Sequence, residues 1–141
     1  MKEGRKEARR WLLQARDDFK FVQWVLKEAA FFDKGCFISQ QAGEKVIKAC
    51  LYATGKRRVI GHSLFEMVVE LIDIEKGFEA IIDSAKRLDR FYITTRYPNG
   101  LPGGSPFQVY SLSDLQTAFE DVSSIFKFSE VFLKKNGVNV E

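Results

Sequence analysis

Histidine, cysteine and proline are scarce in this 141-residue chain, and it has no long apolar run. With one histidine, His62, and two cysteines, Cys36 and Cys50, the usual Cys/His zinc clusters are excluded, and no cofactor is called for. If both cysteines lie on or near one helix, a rise of ~1.5 Å per residue separates them by ~20 Å. A disulfide needs Cα atoms within ~7 Å, so two reduced, buried thiols are expected. No segment approaches the ~20 apolar residues of a membrane span. The basic opening MKEGRKEARRW runs into an amphipathic pattern, not into the apolar stretch of a secretory signal, so a cytoplasmic location is expected.

Apolar residues make up 45% of the chain and phenylalanine alone supplies thirteen, enough large side chains for a globular core. The length suits one domain spanning residues 1–141. Lys and Arg number 22 against 19 acids, a net charge of +3 that permits an anionic partner without requiring one.

Helical spacing dominates. Trp11, Leu12, Ala15, Phe19, Val22, Leu26 and Ala29 recur every three or four residues and predict an amphipathic helix over about 6–30. Asp33-Lys34-Gly35 interrupts the pattern. A second helix is expected over 37–54, closed by Gly55. Ser63 and Glu66 have the spacing of a capping box, which starts a third helix that runs to about residue 74. Ile81, Ile82, Ala85 and Leu88 mark a fourth over 78–90. All three prolines (Pro98, Pro102, Pro106) then fall in or just after YITTRYPNGLPGG, residues 92–104, where regular helix is not expected. Ser113 and Gln116 suggest another capping box, opening a last helix toward residue 134. The fold expected is all-α: an up-and-down bundle of four long helices and one short one, with a long ordered loop before the last helix.

WLLQARDDF from Trp11, CFISQQAGEKVIKACLYATG from Cys36, GHSL from Gly61 and LDRFYITTRYP from Leu88 together resemble the HEPN family, in the same order and at similar spacing over almost the whole chain. The resemblance implies a helical bundle that forms homodimers. It also implies an association with nucleotide binding, with small nucleotidyltransferase partners in a toxin–antitoxin setting, and in some branches with RNA cleavage. Those ribonuclease branches carry an arginine a few residues before a histidine, near the start of a late helix. Arg57 and His62 have the spacing, but lie in the link before the third helix, with Arg58 beside Arg57.

Three groups of residues are candidates for chemistry. His62 and Arg57 could act as general acid or base and phosphate holder of a metal-independent endoribonuclease; alternatively His62 pins the link and the basic residues are solvated. Gln41, Lys45 and Lys48 share one face of the second helix, with Gln40 and Glu44 on an adjacent face. They could line a groove for phosphate or ribose, or the lysines could extend along the bundle edge while Glu44 holds a neighbouring segment. Arg96, with Tyr92 and Tyr97, could join Lys86, Arg87 and Arg90 in an anion-binding strip. The other reading makes Arg96 the anchor of the loop, paired with Glu44 or Asp18. A binding module for nucleotide or RNA phosphate, an endoribonuclease and a purely structural dimerisation domain are the three functions these residues allow.

Overall fold

Three helices carry most of the backbone in the computed structural model, which describes residues 2–141. They are α1 (Lys2–Glu28), α2 (Phe32–Ala53) and, at the far end of the chain, α7 (Leu112–Lys135). Between α2 and α7 come α3 (Leu64–Ile72), a 3-10 turn (Lys76–Ile81), α4 (Ile82–Asp89), α5 (Phe91–Thr94) and α6 (Pro106–Val109). No strand occurs among the described residues, and the chain is the all-α bundle that its spacing indicates.

The second helix is the axis of the molecule. It packs along α1 on one side and α7 on another, and it also meets α3, α4, α5 and α6. Accordingly it is buried nearly all round, with Ala42, Val46, Ile47, Ala49 and Cys50 fully inaccessible. The phenylalanines close the ends of the core: Phe78 is wholly buried and meets Phe128 and Phe132 edge-on at 4.7 and 4.9 Å.

The junction between α1 and α2 departs from the sequence expectation. Gly35 does not break a helix; it lies inside α2, where a Cβ would stand 2.6 Å from Leu115 Cδ1 and 3.1 Å from Val25 Cγ1. Its role is close approach of α2 to α1 and α7. The reversal is made instead by Ala29 and Phe31, both left-handed at φ 52° and 53°. Ala29 closes α1 with the paired bonds of a Schellman motif, Ala29 N to Leu26 O and Ala30 N to Val25 O.

Two helix starts are also corrected. Ser63 does cap α3 by accepting from Glu66 N, but Glu66 does not close the box, and the next free amides are taken by Asp89, at the end of α4. Its carboxylate accepts from Leu64 N at 2.8 Å, Phe65 N at 2.9 Å and Ser63 Oγ at 3.1 Å. For α7 the box begins two residues before the expected Ser113: Ser111 N donates to Asp114 Oδ2 at 2.9 Å and Ser111 Oγ accepts from Asp114 N. The long loop is shorter than its prolines suggest. Phe91–Thr94 is helical, as α5, and Pro106 occupies the first turn of α6, where its missing N–H costs nothing.

Candidate functional site

Gln40, Glu44 and Lys48 follow one another at four-residue intervals along α2, and all three are buried. This places Lys48 on the Glu44 row, not with Lys45 on a ligand-facing edge. Lys48 Nζ lies 3.2 Å from Glu44 Oε2 and 5.3 Å from the Trp11 ring centroid. Trp11 in turn donates to Glu7 at 3.1 Å. A buried ammonium is tolerated here because a carboxylate and an aromatic face both receive it.

At its other side Glu44 meets His62, with Nδ1 at 3.3 and 3.4 Å from the two carboxylate oxygens. A carboxylate only accepts, so in this contact Nδ1 is the donor. The link is held from below as well, since Gln40 Nε2 donates to the His62 carbonyl at 3.1 Å. The imidazole side chain is nevertheless 59% exposed. It lies nearly parallel to the Tyr92 ring, with centroids 5.0 Å apart and planes 18° apart.

Arg96 continues this cluster. Its guanidinium carbon stands 4.6 Å from the ring centroids of both Phe37 and Tyr92 and 5.2 Å from that of Tyr97. Nε and Nη2 donate to the Tyr92 carbonyl at 2.8 and 2.6 Å. The expected pairing of Arg96 with Glu44 or Asp18 is therefore corrected. Glu44 is taken by Lys48 and His62, and Asp18 by Lys45 Nζ at 2.5 Å. Carboxylates already paired inside the bundle leave none for the loop, and Arg96 anchors it through a carbonyl and three rings instead. Tyr97 stays half-exposed, and Pro98 is exposed.

The remaining candidates are scattered. Arg57 is exposed, with no hydrogen bond or ion pair to the described residues, and lines a hollow of about 730 Å³ with Glu3, Glu7, Tyr52 and Lys56. Among the described residues no hydrogen bond or cation–π contact joins it to His62, whose polar partner is Glu44 and whose ring stacks on Tyr92. Lys86 is directed at Asp83 and the Phe65 ring. Arg87 leaves the supposed strip altogether: it grips buried Asp121 with two bonds of 2.9 and 2.8 Å, while Ser84 Oγ donates to the same carboxylate. Those bonds raise the Arg87 pKa above its ordinary value. Arg90 is exposed at the end of α4 and its side chain is unpaired among the described residues. Lys45, Lys48 and Arg87 are thus engaged by carboxylates, and of the candidates for nucleotide contact Arg90, Tyr92, Arg96 and Tyr97 keep polar groups without an ion-pair partner among the described residues.

Both cysteines are fully buried and unpaired. Burial pushes both thiols up to about 12, helped for Cys36 by Asp114 and Asp33 and opposed for Cys50 by Ser129. Among the described residues no group of three or more His, Cys, Asp or Glu could hold a metal ion, and no helix is long and apolar enough to cross a membrane.

A helical bundle with a polar row through its central helix, opening on an exposed histidine and a basic, aromatic loop, defines the class to which this chain is to be assigned. It belongs to the HEPN domain family, whose model matches residues 8–134. Among solved structures it is similar to TT1696 from Thermus thermophilus, with 30% identity over 92% of this chain and 98% of that one and a TM-score of 0.78. It is similar in fold to ST0689, described as an archaeal HEPN homologue, with 24% identity over 90% and 98% of the two chains and a TM-score of 0.74. None of the curated proteins compared with the chain matches it.

Proposed function

We propose that the protein is a homodimeric module that binds a nucleotide or RNA phosphate, with His62, Tyr92, Arg96 and Arg90 as the contact surface, and that it works with a nucleotidyltransferase-type partner in a toxin–antitoxin setting. The observation that carries the binding step is the stack of exposed His62 on Tyr92 with the Arg96 guanidinium over the same tyrosine ring. Flat rings accept a base by stacking, and a guanidinium with a free Nη1 donates to phosphate oxygens. Membership of the HEPN family supports the reading.

A second reading, a metal-independent endoribonuclease, draws on one specific contact: Glu44 holds the exposed His62 ring by Nδ1, as a carboxylate orients a general base. Arg57 would then have to reach the scissile phosphate from a second copy of the chain.

Fluorescence-monitored titration with a short labelled RNA in EDTA separates the readings. Saturable binding of intact RNA, weakened about tenfold or more in Arg96→Ala, is expected for the module. Cleavage that persists in EDTA and disappears in a folded His62→Ala variant would put the enzyme in its place. Failure to bind RNA or any mononucleotide would leave only the structural dimerisation role.

A further inference from the structure

Arg96 also lines a second feature, a hollow of about 340 Å³ between the first turn of α2 and the proline-rich loop. This is the scale of a small-molecule site. Its lining includes Phe37, Arg96, Pro98, Pro106, Phe107 and Asp33. Phe107 is 68% exposed although it is a large apolar ring, and Phe37 is half-buried beneath the Arg96 guanidinium. The walls are thus mainly flat rings and prolines, with Arg96 and Lys34 as cations and Thr95 beside them.

Asp33 is the acidic member of the lining. The residue is 4% exposed, and one of its oxygens, Oδ2, meets Lys34 Nζ at 3.0 Å. The other oxygen accepts no hydrogen bond from the described residues, so the carboxylate keeps acceptor capacity at the hollow that it lines. A ligand that suits this hollow has a flat face for Phe37 and Phe107, a donor for Asp33 and an anionic group for Arg96.

We propose that the hollow is a nucleobase pocket that takes a base with an exocyclic amine, donated to Asp33, from a nucleotide whose phosphate is held by Arg96. Adenine and cytosine carry such an amine at the base edge. Uracil offers an edge N–H flanked by two carbonyl oxygens, which would face the carboxylate, and a site built around one hydrogen bond rejects the analogue that cannot make it. The pocket rests on the nucleotide-binding reading above and adds base selectivity to it.

The test is calorimetric titration of the full chain with AMP, CMP and UMP, beside RNA binding. AMP and CMP are expected to bind about tenfold or more tightly than UMP. Phe107→Ala, an exposed truncation that leaves the fold intact, should weaken AMP by about tenfold. Asp33→Asn should abolish the preference over UMP. Equal affinities for AMP and UMP, or AMP binding untouched by Phe107→Ala, would overturn the pocket. If RNA still binds in an Arg96-dependent way under those results, the pocket alone has failed; if neither RNA nor any mononucleotide binds, the nucleotide-binding reading has failed with it.

Discussion

Glu44 Oε1 and His62 Nδ1 lie 3.3 Å apart, and the same carboxylate stands 3.2 Å from buried Lys48. One acid therefore neutralises an internal cation and orients a surface ring. The two duties predict unequal mutational costs. Glu44→Gln strands the Lys48 ammonium inside the bundle and should cost about 3 kcal/mol in urea denaturation. His62→Ala removes only an exposed partner and should stay within about 1 kcal/mol of the parent. Adding Lys48→Met to Glu44→Gln should recover most of the loss, since no cation is then left uncompensated.

Asp89 makes the clearest prediction about the link that carries His62. Its carboxylate accepts from two backbone amides and one hydroxyl at the start of α3. Asp89→Ala should cost about 1–2 kcal/mol, as loss of a helix cap does. Amide exchange at Leu64 and Phe65 should accelerate, and Ser63→Ala should have the smaller effect because Asp89 still serves two amides.

The helical class was legible because periodic apolar residues report which face is buried, and Ser63 announced α3 because a cap is a local device. What stayed hidden was non-local. Nothing in the local pattern says that Asp89, 25 residues after Leu64, completes that cap. Nor does it show that Arg87 would be drawn out of a basic strip by Asp121 on α7. The candidate site was half visible: His62, Tyr92 and Arg96 stood out as residue types, but their stacking depends on how α5 docks on α2. Glu44 drew attention as a carboxylate; that its partners are Lys48 and His62 follows from the i, i+4 row and the path of the link.

Position 35 and position 29 invert the usual helix grammar, and substitutions there should too. Gly35→Ala places a Cβ within 2.6 Å of Leu115 and 3.1 Å of Val25, a crowding that should cost about 1–3 kcal/mol. Ala29→Gly relieves a left-handed alanine at the end of α1 and should stabilise by about 1 kcal/mol. Thermal melts of the two single variants measure both signs directly.

The two buried thiols are expected to contribute to a loss of stability at alkaline pH. Each is pushed from its ordinary value of 9 up to about 12 by burial, so folding favours the protonated form. Below pH 9 both states hold these protons and the thiols add no pH dependence. Between 9 and about 12 the unfolded chain releases them while the folded chain keeps them, so stability falls as pH rises. Well inside that window each thiol contributes a slope of about 1.4 kcal/mol per pH unit. Urea denaturation of the parent and of Cys36→Ala/Cys50→Ala at pH 8, 9, 10 and 10.5 isolates the effect. The double variant should be less stable at pH 8, because each alanine leaves a small cavity, yet should lose stability less steeply above pH 9. Parallel curves for the two proteins would mean that the alkaline loss arises from other groups, such as Tyr110, whose phenol burial also pushes up. The same burial should keep both thiols from reacting with a thiol-specific reagent at pH 8 until the protein unfolds.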